Sequence, residues 1–438
     1  MKVPDKKPEN FCMAPWTHTY LSPQTERRLC CASREPAQSF EQYIDTASGS
    51  GKYTPMSLDE WWNGEHIRRI RTQMMSGELP SECEVCDKKL LNTDVYRDYF
   101  WHLFKHRYEE IWSTTDATGY TTSPVVSWDY RFSNLCNFKC RTCGDMLSSA
   151  WESEQRQHNM INWENPKNAW MRPEIKSQII AFQMSTVEQE FSDAVEAHNI
   201  EEIYWVGGEP LMYEQHWRYM SRIVELGDGP KLYARYNTNL SRTEYKGIDL
   251  YQDILKNIRD YQICASLDGT GKIGEYIRTG LDYHTWYHNF RKGIDIMRYS
   301  RQWRIDFTLT LPGLFEVERI QELADELGVE ILAKTIFTFT PDVILSPLAL
   351  PRELLDRKVD QIITSVKSPA LHDVLLQLKQ RPTIEEQWPN EYREGMQKGK
   401  RRILELEHIR KDTFTLDQIL QRDKEIHEWW KNIRTNSN

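Results

Sequence analysis

From about residue 124 to 340, short runs of β-branched and aromatic residues alternate with longer amphipathic stretches. That alternation is the pattern of repeated βα units feeding a parallel sheet. Strands are predicted at 125–132, 202–206, 232–236, 262–267, 305–309 and 329–333. Between and after them, helices are predicted at 175–198, 213–226, 287–298 and 317–327. Six units over this length fit an α/β fold with an open, partial (β/α)6 TIM-like barrel better than a complete eightfold one.

The pattern changes on both sides of this core. Residues 1 to about 110 read as irregular, with short extended pieces at 17–21 and 27–30. Ser57 through Glu60 then forms a capping-box sequence. Trp61, Ile67, Ile70 and Met74 continue at helical spacing until Gly77 and Pro80 stop the element, delivering the chain to Cys83 and Cys86. From 345 onward the periodicity is helical, at 352–366, 371–378, 391–409 and 416–433. The expected organisation is a small cysteine-rich N-terminal module (1–115), a core (120–342) and a helical C-terminal region (345–438). No fixed-period repeat or low-complexity tract interrupts it.

A length of 438 residues, 39% of them hydrophobic, suits two or three packed domains. No run approaches the roughly 18 apolar residues of a membrane span. The polar start MKVPDKKPEN has no apolar segment after its lysines, so a cytoplasmic location is expected. A net charge of -9 disfavours a nucleic-acid partner, and the basic run 398–402 reads as a solvated helix face. Sixteen tryptophans favour wide packed interfaces or a pocket for a bulky substrate.

Eight of the nine cysteines fall into two groups: Cys12, Cys30, Cys31, Cys83 and Cys86, then Cys136, Cys140 and Cys143. Such clustering points to metal in a reducing compartment rather than to disulfides. The second group has C-x3-C-x2-C spacing directly after the first predicted core strand. Thiolates are the soft ligands an iron–sulfur cluster requires, and one short loop can wrap a cubane corner. Three ligands for four irons leave one iron open. Lys139 and Arg141 place positive charge beside this anionic centre. From the cysteines alone, a structural zinc site completed by a distant ligand is the competing reading.

C-x3-C-x2-C after one strand, followed by Trp205-Val206-Gly207-Gly208-Glu209-Pro210 after the next, resembles the radical S-adenosylmethionine (SAM) superfamily over roughly 120–340. The resemblance implies a [4Fe–4S] cluster on Cys136, Cys140 and Cys143, with SAM at the open iron. Gly207, Gly208, Glu209 and Pro210 match the GGEP motif that binds the SAM amino group. Two glycines permit close backbone approach, and Glu209 offers a carboxylate to an ammonium. Asn237 and Asn239 stand where the family contacts ribose, and Ser266 and Asp268 where it forms a polar SAM-facing turn. Arg278 could approach the SAM carboxylate. Thr142 departs from the aromatic residue the family carries before the third cysteine, which leaves the adenine contacts open. The implied chemistry is reductive SAM cleavage to a 5′-deoxyadenosyl radical and hydrogen abstraction, with a flavodoxin- or ferredoxin-type reductant.

The segments around Cys12, Cys30, Cys83 and Cys86 resemble the SPASM/twitch auxiliary-cluster module, which commonly follows the core but here precedes it. That implies a second [4Fe–4S] cluster on these four, with Cys31 as alternate to Cys30; a zinc knot of the same thiols is the alternative. Cys264, within a predicted strand, reads as a small buried hydrophobe. Relatives with such modules act on peptides or small molecules, so a peptide or protein side chain is the first substrate expectation. No residue identifies the atom attacked. A non-catalytic metal-binding scaffold or redox sensor is the second reading, and the intact GGEP sequence disfavours it.

Overall fold

The computed structural model describes residues 3–34, 53–87 and 96–435. Residues 35–52 and 88–95 of the expected N-terminal module, and 436–438 of the C-terminal region, lie outside the described residues. The chain forms two compact units, each assembled from separate stretches. The first comprises Met1–Cys136, Asp145–Tyr236 and Tyr245–Tyr261; the second comprises Asn137–Gly144, Asn237–Glu244 and Gln262–Asn438.

In the first unit, strands β1 (His18–Leu21), β2 (Arg27–Arg28), β3 (Ser127–Tyr130), β4 (Glu202–Trp205) and β5 (Tyr233–Thr238) lie in the order β5-β4-β3-β1-β2. All pairings are parallel except the β1–β2 hairpin. β1 sits beside β3, with His18 opposite Ser127 and Leu21 opposite Tyr130. Its membership of this sheet is a departure from the expected irregular N-terminus.

Side chains alternate across a strand, so the sheet has two different faces. On one face Trp128, Phe132 and Trp205 pack on Phe191, with centroid distances of 5.4, 5.5 and 6.0 Å. Phe191 comes from the helix Glu188–Glu196. The other face carries a polar chain: His18 Nδ1 lies 2.6 Å from Ser127 Oγ, Ser127 donates to Glu202, and Tyr99 donates to Glu202 at 2.7 Å. Buried polar groups persist when they satisfy one another in this way.

The expected helix 175–198 is two helices, Pro173–Phe182 and Glu188–Glu196, joined by a wider π-type turn at Gln183–Val187. The N-terminal stretch also contains helices the pattern did not predict, Tyr96–Phe104 and Tyr108–Thr114. Their Phe100, Phe104, Ile111 and Trp112 form one core with Phe11, Trp16, Ile67, Ile70 and Met74.

The short strands β6 (Glu244–Tyr245) and β7 (Ile248–Asp249) precede β8 (Asp260–Ser266). In the second unit β8, β9 (Trp303–Leu309) and β10 (Glu330–Thr335) are parallel, in the order β10-β9-β8. The helix Tyr283–Ile294 packs so closely on β9 that a Cβ on Gly293 would lie 2.1 Å from the Trp303 ring. C-terminal helices follow at Arg352–Ile363, Pro369–Gln380 and Tyr392–Arg410. The expected helix 416–433 is split into Leu416–Leu420 and Lys424–Asn432, with Asp423 capping the second through Ile426 N–H. All six predicted core strands are present and the fold is α/β with mostly parallel strands. Among the described residues, no helix is long and apolar enough to cross a membrane.

Candidate functional site

Four cysteines from distant parts of the N-terminal stretch meet in the first unit. Cys12 precedes the short helix Ala14–Thr17, and Cys30 follows β2. The helix Glu65–Ser76 ends on Gly77 at φ +84°, a left-handed cap that glycine adopts without strain. Cys83 and Cys86 come directly after it, within Ser81–Cys83 and Glu84–Asp87. All four thiols line one cavity, together with Ala14, Tyr96, Arg97 and Phe100.

The Ala14 N–H donates to Cys12 Sγ at 3.5 Å, and the Ala32 backbone likewise serves Cys30. Burial pushes the Cys12 thiol up to about 12 and the Cys30 thiol well above its ordinary value. The other thiols add to this, because thiolates this close repel one another. A multiply charged cationic centre relieves that repulsion, since ligating cysteines are deprotonated outright. Among the described residues, no three His, Cys, Asp or Glu side chains converge on one ion-sized position. The four cysteines border one common space.

Also in the first unit, the Gly207–Pro210 loop is bound to the segment that enters Cys136. The Glu209 amide donates to the Leu135 carbonyl at 2.7 Å. A Cβ on Gly208 would lie 2.2 Å from that same carbonyl, so only glycine fits there. The Tyr213 hydroxyl links the two segments: it accepts from Gly208 N–H at 2.8 Å and donates to Ser133 C=O at 2.7 Å. Glu209 is almost fully buried, and one carboxylate oxygen caps the turn Pro210–Met212 through Leu211 N–H at 3.1 Å. Cys136 N–H donates to Ser149 Oγ at 3.1 Å.

In the second unit, the loop Asn137–Gly144 is stitched to the segment after the helix Gly271–Ile277. Lys139 N–H donates to Thr279 C=O at 2.7 Å and Arg141 N–H to Ile277 C=O at 2.8 Å. Cys143 N–H turns back to Cys140 C=O at 3.0 Å. The Arg141 guanidinium stacks 3.7 Å from the Tyr276 ring centroid, donates to Tyr276 C=O and to Thr279 Oγ1 at 2.7 Å, and pairs with Asp412. Burial pushes the Cys140 thiol up to about 12, and the nearby Arg278 opposes this.

Residues 12–87 match the SPASM family, an iron-sulfur cluster-binding domain. No curated protein matches the chain. Among solved structures, SuiB of Streptococcus suis bound to S-adenosylmethionine is similar at 13% identity, over 73% of this chain and 66% of that one, with a TM-score of 0.35. A second SuiB structure gives 13%, 75%, 68% and 0.35, and SuiB bound to precursor peptide SuiA gives 12%, 73%, 66% and 0.34. The chain thus spans about two thirds of the SuiB chain.

Within the SPASM match, Cys30 lines the cavity and its neighbour Cys31 is not among the described residues that line it. Cys31 lies beside Asp129 and Arg131 and bonds the Tyr96 side chain. The expected SAM contacts also differ in placement. Asn239 donates to Asn137 Oδ1 in the cysteine loop at 2.9 Å. Asn237 instead donates to Asp306 at 2.8 Å, and Lys334 shares that carboxylate at 2.7 Å. Ser266 ends β8 opposite Asp306. Asp268 is fully buried, paired with Arg278 at 2.9 Å and accepting Thr308 N–H at 2.9 Å, so it holds Arg278 in place. Tyr213, Arg97 and Asp412 went unnoticed in the sequence. Tyr213 lies three residues past the GGEP motif, whereas Arg97 and Asp412 carry no local signal.

Proposed function

We propose that the chain is a radical SAM enzyme whose core, 120–342, is a partial (β/α)6 barrel. Cys136, Cys140 and Cys143 hold the [4Fe–4S] cluster that binds SAM, and Cys12, Cys30, Cys83 and Cys86 of the SPASM module hold a second. The observation that carries this reading is the direct hydrogen bonding of the GGEP loop to the chain entering Cys136. A ligand held at once by a cluster iron and by the GGEP backbone needs these two segments in fixed register.

When bound, the cluster and SAM supply the one-electron chemistry that side chains cannot perform. The chain's own residues bind and orient. Glu209 offers its carboxylate to the SAM ammonium, while Gly207 and Gly208 admit the ligand to the backbone. Arg278, held by Asp268, keeps a positive charge beside Cys140 and favours its thiolate. The substrate is a peptide or protein side chain, as the family resemblance implies, and the electron donor is a flavodoxin- or ferredoxin-type protein.

The test is iron and sulfide content after anaerobic purification, EPR of the reduced protein with and without SAM, and 5′-deoxyadenosine formation. About eight irons per chain are expected for two four-iron clusters, with a SAM-responsive signal and turnover lost in Cys140→Ala. Zinc in place of iron, or no response to SAM, would replace this reading with that of a structural metal scaffold.

A further inference from the structure

Among the described residues, Arg97 is the one guanidinium that lines the four-cysteine cavity. It stands in the first turn of the helix Tyr96–Phe104, whose amino-terminal end therefore faces the thiols. Its Nη1 reaches Asn10 Oδ1 at 3.5 Å, while Nη2 is buried with no hydrogen-bond partner among the described residues. Glu82, which also lines the cavity, is paired with Arg69. Arg97 acts electrostatically on both Cys12 and Cys83, which are far apart in the sequence. A buried guanidinium N–H without an acceptor is costly, and it persists where an acceptor arrives later.

We propose that Arg97 donates this free N–H to a sulfur of the SPASM cluster and thereby raises the cluster's reduction potential. The inference rests on reading the quartet as an iron–sulfur site. Its physics is that hydrogen bonds to cluster sulfurs and nearby positive charge favour the more negative, reduced form. The planar fork of arginine aims that N–H; a lysine in its place keeps the charge but not the geometry. Lys7, which also acts on Cys12, stands 4.6 Å over the Trp101 ring and does not line the cavity.

The experiment uses the full chain with both clusters loaded. Pulsed EPR of the reduced protein carrying guanidino-15N arginine is compared between wild type and Arg97→Lys, and redox titrations are run on both and on Arg97→Gln. The expected result is a 15N coupling present in wild type and missing from Arg97→Lys. With it, one of two redox waves in Arg97→Gln should show a reduced-to-oxidised ratio about tenfold lower at fixed poise, or about 59 mV for one electron. The lysine variant should fall between. Identical couplings in wild type and Arg97→Lys, or unmoved waves with iron retained, overturn the role of Arg97. A wild-type protein with zinc in the quartet or a single redox wave overturns the auxiliary-cluster reading itself.

Discussion

Replacing Tyr213 by phenylalanine removes one oxygen and leaves the buried ring in place, so it isolates the link between the GGEP loop and the segment entering Cys136. The lost hydroxyl serves two backbone groups, Gly208 N–H at 2.8 Å and Ser133 C=O at 2.7 Å. Each buried group left without a partner costs about 1–3 kcal/mol. Both residues are half-buried, so water can reach part of the gap and the lower end of that range applies. The expected loss is therefore about 2 kcal/mol in urea unfolding of the metal-free protein at neutral pH. If the loop also binds SAM, loosening it by this amount should weaken SAM binding by at least about tenfold, since 1.4 kcal/mol is a factor of ten. Stability unchanged within about 0.5 kcal/mol would refute the claim that this hydroxyl ties the two segments together.

Three further outcomes are expected. Asp412→Ala leaves the buried Arg141 guanidinium without its carboxylate, and should lower stability by about 3 kcal/mol and reduce iron retention at Cys140 and Cys143; thermal melts and iron analysis check both. Burial lowers His216 to about 3, so the folded state favours the neutral ring. Its stabilising contribution is complete above pH 6.5 and is lost toward pH 3 at about 1.4 kcal/mol per pH unit, a slope His216→Phe should remove in urea titrations at pH 7 and 5. Cys264, buried on β8 and apart from both cysteine groups, should tolerate Cys264→Ala with about 1 kcal/mol lost and no iron lost, read by unfolding and metal content.

Much of the core was legible because its strands carry dense β-branched and aromatic runs, as in Trp303–Leu309, and because motifs such as Cys136–Cys143 and Gly207–Pro210 are local in sequence. What was not legible depends on tertiary partners. A four-residue strand such as His18–Leu21 holds no record of which neighbour it will find. The interruption at Gln183–Val187 is invisible because its residues keep helical propensity, and only packing decides the wider turn. Cys30 and Cys31 are chemically identical and adjacent; that Cys30 lines the cavity while Cys31 lies beside Asp129 and Arg131 depends on tertiary neighbours. Asp268 sits at the expected strand end, but its pairing with Arg278, ten residues on, could not be read from the sequence.

The insertion of β1 between β2 and β3 bears on how the chain is made. His18 meets Ser127 across 109 residues. At about 5–20 residues per second, roughly 5–20 s of synthesis separate the two strands as they leave the ribosome. During that interval Phe11 and Trp16, later buried in the core, have no completed core to enter. The SPASM match contains a strand of the neighbouring sheet, so it cannot be excised as a portable domain; cutting after residue 87 would strip β3 of a partner. Nascent-chain protection and the timing of cluster insertion are thus set by the same hydrogen-bonded edge.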